Sequence, residues 1–185
     1  MKELIEVLDE NGHKTGIIKT KSEIKRNGDY HRAIRVIIVN SANEVLFQKR
    51  SNKKKMFPNL WSIYLTGHVK AYEESTDAII REVKEEIGID ILSDELEYLY
   101  TIKDEKKKNN YDERIFFDTY LLRKDIDINE IKMNNEVIGV QYLTIDEINY
   151  LIENNSKMII PNDYDVILDV LKEKKNVKIK VFSKT

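Results

Sequence analysis

Three glutamates, Glu82, Glu85 and Glu86, have a residue type and a spacing that suit a metal site. The surrounding segment, from about Ser75 to Ile87, predicts a helix, on which residues three and four positions apart share one face. We therefore expect the three carboxylates to crowd together. Hard oxygen donors that converge in this way are preferred by Mg²⁺ and Mn²⁺. The opposite, apolar side of the helix is formed by Ile79, Ile80, Val83 and Ile87.

A glutamate cluster on a helix is more often a solvent-exposed face than a metal site. The residues around the cluster decide between these two interpretations. From Gly67, five residues lead to Glu73 and seven more to the Arg81-Glu82 pair. After one apolar and one further residue come two adjacent glutamates, followed by one residue, Gly88 and an apolar residue. This run, 67–89, matches the Nudix box at every fixed position. The chain thus resembles the Nudix hydrolases.

This resemblance implies a Nudix-type α/β/α sandwich and the hydrolysis of a nucleoside diphosphate derivative or a related organic pyrophosphate. It also implies Mg²⁺ as cofactor, with Mn²⁺ as a substitute. The implied metal ligands in the box are the three glutamates and the Gly67 carbonyl, while Glu82, Glu85 and Arg81 are the implied catalytic residues there. Arg81 and Glu73 are further expected to brace the loop before the helix, and Gly88 to end the helix.

A second resemblance is to the branch of the family that contains type I isopentenyl-diphosphate isomerase. It rests on four segments, which are 30–33, 45–51, 58–61 and 66–68. That isomerase has a catalytic cysteine where this chain has Thr66, and a metal-binding histidine where this chain has Ile24. Because a hydroxyl does not replace a thiol in protonating an allylic carbon, isomerase activity is not expected. A hydrolase is favoured, with the isomerase and a non-catalytic nucleotide-binding Nudix module as alternatives.

An acid outside the box often completes the metal site or acts as base in Nudix hydrolases. The alignment with the isomerase makes Glu113 the first candidate for a catalytic and metal-binding role, with Asp112 and Glu136 behind it. An acid exposed at the edge of a strand is an equal alternative for Glu113. The proton of the attacking water is then taken by such an acid or by Glu82.

Two arginines and two histidines are candidates for substrate binding. Arg50 and Arg32 suit a diphosphate, since a guanidinium fork matches phosphate oxygens, although Arg32 is nearly as well explained as a solvated residue. His31 and His68 are either ligands of a metal or phosphate or neutral hydrogen-bonding residues, and the second role is favoured. The lysine runs at 53–55 and 106–108 are expected to be solvated loops.

The predicted elements form a mixed α/β pattern without repeated βαβ units. An N-terminal hairpin pairs Leu4–Leu8 with Thr15–Lys19, because Asn11-Gly12 between them suits a tight turn. Further strands are predicted at 33–39, 44–50, 61–65, 96–102, 114–122 and 137–143, with a polar loop at 104–112. After the box helix, a second helix follows Thr144 to about residue 153, a third runs from 162 or 163 to about 174, and a strand is possible at 177–182.

Composition limits the class of protein. The chain has 185 residues, which suit a single Nudix hydrolase domain, 1–185, with a hairpin extension at 1–30 and a C-terminal helix and possible strand at 161–185. The formal net charge of -2 gives no reason to expect nucleic acid as a partner. There is no cysteine, which excludes thiol chemistry. No apolar run is long enough for a membrane span. We expect a cytoplasmic monomer or homodimer that acts on a small-molecule pyrophosphate.

Overall fold

The computed structural model describes residues 2–54, 56–108, 111–154 and 157–160, together with residues 164, 168, 169 and 171. The ordered elements of this part of the chain include nine strands, three α-helices and two short 3-10 helices. The strands are β1 (Leu4–Leu8), β2 (Lys14–Thr20), β3 (Tyr30–Val39), β4 (Val45–Arg50), β5 (Trp61–Ser62), β6 (Leu65–His68), β7 (Leu96–Lys108), β8 (Tyr111–Arg123) and β9 (Val137–Leu143). The helices are α1 (Lys21–Asn27), α2 (Ser75–Ile87) and α3 (Ile145–Asn154).

Strand β3 is the centre of a mixed sheet. It pairs in parallel with β8 over ten residues and antiparallel with β6, where Ile34 lies opposite Gly67. Its β-branched and apolar sequence suits a strand that is covered on both faces. The hairpin β1–β2 joins β3 at Leu8, while β4 joins it at Val39 and carries β5 and β9. Strand β6, which contains Gly67 of the box, is thereby fixed beside β3.

Two helical layers cover the sheet, which confirms the α/β/α sandwich with a mixed sheet and an N-terminal hairpin. Successive side chains of β3 point to opposite faces. The α2 side of the core contains Ile34, Val36, Ile38, Ala78, Ile79, Val83 and Ile87. The opposite side contains Ile37, Val39, Phe47, Ile148, Tyr164, Leu168 and Leu171. Within the described residues, no helix is both long enough and apolar enough to cross a membrane.

Two predicted elements are wrong in detail. The polar loop expected at 104–112 belongs largely to a long hairpin, in which β7 continues to Lys108 and β8 begins at Tyr111. Opposite charges face each other there, as in the pair of Lys106 and Glu113, and such pairs stabilise an exposed ribbon. The strand expected at 61–65 is divided between β5 and β6. Ser62 stabilises the irregular backbone between the two strands, because its hydroxyl accepts from the Tyr64 amide and donates to the Tyr64 carbonyl.

Helix α1 was not predicted. It begins with a capping box in which Thr20 and Glu23 bond to each other's backbone amides, and it ends at Gly28 in the left-handed conformation. Its buried residue Ile24 packs with Ile5 and Val7 of the hairpin. Helix α1 therefore packs against β1, just before the chain continues into β3. The C-terminal helix prediction is described only at residues 164, 168, 169 and 171, and the strand predicted at 177–182 lies outside the described residues.

Candidate functional site

The box helix presents its glutamates at three different depths. Glu86 is almost fully buried, with 3% of its side chain exposed, and Glu82 is largely buried, whereas Glu85 is half exposed. Burial follows from the neighbours of the helix, since its apolar side packs on the sheet and Glu82 leans over β6. The three carboxylates are therefore not an evenly solvated face. Two of them are held in a poorly hydrated environment, where an unpaired charge is costly.

Arg81 fixes the first of these carboxylates. Its guanidinium donates to both oxygens of Glu73, with N···O distances of 2.8 and 3.0 Å, to the His68 carbonyl at 3.0 Å, and to Glu82. Although burial alone would lower the pKa of Arg81, its bonds to Glu73 and Glu82 raise it. Glu73 also accepts from the Lys70 amide at 2.9 Å. Arg81 and Glu73 thus form one network with the backbone of the loop that precedes the helix.

Gly67 makes room for the Glu82 carboxyl group. A Cβ atom built on Gly67 would overlap the Cγ, Cδ and Oε1 atoms of Glu82. The glycine is therefore required by close packing between β6 and α2, not by an unusual backbone conformation. The Glu82 carboxylate lies directly against this strand, and its pKa is raised by burial in spite of the Arg81 partner.

Glu86 carries the clearest electrostatic signal of the site. Burial raises the pKa of Glu86 to about 7, while Lys54 acts in the opposite direction. The Lys54 ammonium lies 4.0 Å from Glu86 Oε1, and Glu86 Oε2 is buried without a hydrogen-bond partner among the described residues. A buried carboxylate oxygen that lacks a partner is a favourable ligand for a cation.

The described residues contain no ready-made group of three His, Asp or Glu side chains in metal-binding positions. Two positively charged side chains of the protein lie next to the carboxylates instead. Arg81 holds Glu82 and lies 3.4 Å from Glu85, and Lys54 occupies the neighbourhood of Glu86. The donor set nevertheless fits a divalent ion, because it combines hard oxygens with an orphaned buried oxygen and an unsatisfied demand for positive charge.

The two candidate histidines, His31 on β3 and His68 on β6, form a stacked pair. The rings of His31 and His68 are 5.3 Å apart at an interplanar angle of 16°. Burial lowers the pKa of both, which favours their neutral forms. Glu113 pairs with Lys25 of α1 at 3.2 Å. Its negative charge acts to raise the pKa of His31, against the larger effect of burial. The position at which the isomerase has another histidine ligand is Ile24, which is buried in the apolar cluster under α1.

The two candidate arginines lie in different places. Arg50 donates from Nε and Nη2 to the Met56 carbonyl, at 3.3 and 3.2 Å. Its positive charge also acts to lower the pKa of Glu86. Arg32 instead holds Asp118 with Nη1 at 2.7 and 2.9 Å, in a cleft of about 540 Å³ beside the first turn of α2. Asp118 also accepts from the Ser75 hydroxyl at 2.6 Å. The structure thus brings Arg50, and not Arg32, to the box glutamates.

Sequence reasoning missed two polar neighbours of Glu86. Lys54, expected in a solvated loop, has only 23% of its side chain exposed, and burial lowers its pKa. Gln48 is buried on β4, donates to the Tyr64 carbonyl at 2.8 Å, and acts to lower the pKa of Glu86 slightly against the effect of burial. One signal for Gln48 is its amide within an otherwise apolar strand segment. A lysine run gives no indication of which member turns inward.

Comparison with known proteins supports one family. The family model described as the NUDIX domain matches residues 29–163. "Nudix hydrolase 3" of Arabidopsis thaliana is 30% identical in an alignment of 182 residues that covers 93% of this chain, although the chain spans only 24% of that protein's length. Isopentenyl-diphosphate Delta-isomerase 1 of Photorhabdus laumondii is 31% identical over 86% of this chain and 89% of its own length. The crystal structure of DR0079 from Deinococcus radiodurans has a TM-score of 0.68 at 20% identity, covering 92% of this chain and 99% of that one, and supports the fold.

The raised pKa of Glu86 predicts that the metal-free protein loses stability as the pH rises. Between the ordinary value of 4.5 and about 7, the unfolded chain releases this proton while the folded protein retains it. Glu86→Gln removes this penalty, so its advantage over the native protein is expected to be larger at pH 8 than at pH 5. Urea unfolding in EDTA at the two pH values measures the difference, with the exposed Glu97→Gln as control. An equal difference at both pH values contradicts the assignment.

The packing of Gly67 predicts a second effect. Gly67→Ala is expected to displace the Glu82 carboxylate and weaken Mn²⁺ binding by about tenfold or more, the scale seen when support for metal ligands is lost. Paramagnetic resonance of free Mn²⁺ measures the affinity. Gly139→Ala is the matched control, because a Cβ there meets its neighbours at ordinary distances of 3.5 and 3.6 Å. Unchanged affinity in Gly67→Ala would show that Glu82 is not a ligand.

Proposed function

The chain belongs to the Nudix family and is a Nudix pyrophosphohydrolase, and on this premise we propose that it uses Mg²⁺ to hydrolyse the pyrophosphate bond of a nucleoside diphosphate derivative or a related organic pyrophosphate. Nudix hydrolases generally use divalent metals, and Mn²⁺ is expected to substitute here. The observation that carries the proposal is the buried Glu86, whose free oxygen and raised pKa leave the site in need of a cation.

Glu82, Glu85, Glu86 and the Gly67 carbonyl would hold the ion, with Glu113 predicted as a further ligand or as the base that takes the proton of the attacking water. When bound, the ion would offset charge on the pyrophosphate and lower the pKa of a water molecule. The protein's own part is to keep the ligands in place. Arg81 does so by holding Glu82 and Glu73 in one network that includes the backbone of β6.

Substrate binding in this proposal uses the cationic side of the same site. The positive charges of Arg50 and Lys54 both act to lower the pKa of Glu86. Because both side chains are partly shielded from water, an incoming diphosphate would meet charges that are weakly screened. His68 and His31 are predicted to contribute neutral hydrogen bonds. Arg32, which is committed to Asp118, is expected to support the fold of this region more than the phosphates.

The similarity to an isomerase makes that activity the second candidate. The chain has no cysteine, and the residue beside Gly67 and His68 is Thr66. The ordinary pKa of a threonine hydroxyl is far above that of a thiol, so it is a poor acid–base group for an allylic carbon. Incubation with isopentenyl diphosphate is therefore expected to give no dimethylallyl diphosphate. A non-catalytic nucleotide-binding module is less well supported, because all three box glutamates are present. The cytoplasmic location and a monomer or homodimer remain predictions.

The exposed box glutamate provides the most direct test of the proposed function. Glu85→Gln is expected to lower Mg²⁺-dependent release of phosphate or nucleoside monophosphate by about 100-fold or more, since it removes a charged metal ligand. A screen of diphosphate compounds by product chromatography measures this and locates the cleaved bond. Glu97→Gln, an exposed glutamate on β7, is the control. Full activity of Glu85→Gln would overturn the assignment of the site.

A further inference from the structure

Two buried side-chain oxygens near the end of the box helix have no hydrogen-bond donor. They are Oε2 of Glu86 and Oε1 of Gln48, and neither has a partner within the part of the chain that the structure describes. Both residues are almost fully buried. A buried polar atom without a partner is unfavourable, and in a native protein it often marks a bound water molecule or ion. Each of these oxygens can therefore accept a donor or a cation.

The Gln48 side chain faces the box helix. Leu46, two residues earlier on β4, packs in the apolar cluster under α2, whereas Phe47 packs on the opposite side of the sheet. Because side chains alternate along a strand, Gln48 points to the same side as Leu46. Val140, which lies opposite Gln48 on β9, also packs against the cluster under α2. Strand β4 thus directs a polar side chain toward the buried end of the helix.

The orientation of the Gln48 amide is fixed by the backbone between β5 and β6. Its nitrogen donates to the Tyr64 carbonyl at 2.8 Å. Since a carbonyl oxygen only accepts hydrogen bonds, the nitrogen of the amide, and not its oxygen, must face Tyr64. The other branch of the amide is the orphaned Oε1. The side chain is therefore held by its donor, which leaves its acceptor for a further partner.

Gln48 and Glu86 belong to one polar region. The Gln48 side chain acts to lower the pKa of Glu86, as do the charges of Arg50 and Lys54. The Lys54 ammonium lies 4.0 Å from Oε1 of Glu86, whereas Oε2 is the atom without a partner. The charges of the protein therefore do not satisfy the second oxygen of Glu86 or the oxygen of Gln48.

We propose that Gln48 supplies a neutral oxygen ligand to the divalent ion beside Glu86, an inference that rests on the proposed function. An amide carbonyl is a hard oxygen donor, which suits Mg²⁺ and Mn²⁺. Because it has no charge, it adds a ligand without adding to the repulsion among the box glutamates. It also binds without losing a proton, unlike an acid. One ion would satisfy both orphaned oxygens.

Two replacements of Gln48 separate ligation from structural support. Gln48→Met and Gln48→Glu both remove the donor to the Tyr64 carbonyl, but only Gln48→Glu keeps an oxygen at the end of the side chain. Gln48→Met is expected to raise the Mn²⁺ dissociation constant about tenfold or more, the scale for loss of a group that supports a metal site. Gln48→Glu is expected to bind Mn²⁺ within threefold of the native affinity or more tightly. Paramagnetic resonance of free Mn²⁺ at pH 8 measures both.

Thermal unfolding gives a second readout that needs no substrate. Saturating Mn²⁺ is expected to raise the Tm of Gln48→Glu by more than that of Gln48→Met, because binding to the folded state stabilises it. Ser62→Ala is the matched control, since the Ser62 hydroxyl donates to the same Tyr64 carbonyl at 2.9 Å, and its Mn²⁺ affinity should equal the native value. If Gln48→Met does not fold, Gln48→Asn, whose amide is withdrawn by one methylene, is expected to show the same loss.

The inference is overturned if Gln48→Met binds Mn²⁺ within threefold of the native affinity. Equal losses of affinity in Gln48→Met and Gln48→Glu would also overturn it, because the role of Gln48 would then be purely structural. A native protein without affinity for Mn²⁺ contradicts the inference together with the metal site. A native protein that binds Mn²⁺ but hydrolyses no diphosphate compound with Mg²⁺ or Mn²⁺ contradicts the proposed function alone.

Discussion

The site depends on carboxylates that are held close together where water does not fully screen them. Glu82 is pressed against Gly67, and Glu86 is buried at the end of the same helix. Repulsion and desolvation would drive such groups apart or protonate them unless cations compensate. The protein supplies part of this compensation through Arg81 and Lys54. The remaining deficit at Glu86 is the basis of the proposed affinity for a divalent cation.

The sandwich is arranged so that this unfavourable cluster is tolerated. The apolar side of α2 packs firmly on the sheet, which stabilises the helix independently of its glutamates. Strand β6 lies beside the central strand, so the position of Gly67 is fixed by backbone pairing. The unfavourable free energy of holding the carboxylates together is therefore offset by apolar packing on the other side of the same helix. This division explains how a functional cluster and a stable core share thirteen residues.

Much of this arrangement could be predicted from the sequence because its signals are local. The helical spacing of the glutamates, the apolar repeat and Gly88 all lie within 67–89, and the β-branched run of β3 is equally clear. Helix α1 was missed because Ile24 is its only buried residue, although its capping signals, Thr20 with Glu23 and Gly28, are readable in the sequence. The long β7–β8 hairpin was missed because its polar residues pair with each other and with β3, and pairing is not visible along one strand.

The least predictable part of the site is the part assembled from distant segments. Lys54 and Glu136 form an ion pair near Glu86, and the chain around residues 132 and 134 is hydrogen-bonded to the end of α2. Nothing in a lysine run or in an isolated glutamate indicates such a meeting. Arg32 lies on the α2 side of β3, as Ile34 does, but its partner Asp118 accepts from Ser75 in the first turn of α2, so Arg32 meets the opposite end of the helix from the glutamates. Register and docking, rather than composition, decide these positions.

The central claim is that the buried box carboxylate exchanges its proton for a divalent ion. Calorimetric titration of Mg²⁺ or Mn²⁺ into the purified protein, in two buffers of different ionisation enthalpy at pH 6.5, tests it most directly. Metal ligands must be deprotonated to bind, and the pKa of Glu86 is about 7. The account therefore predicts saturable binding with release of a substantial fraction of one proton. Absence of binding, or binding with the same heat in both buffers, would contradict it.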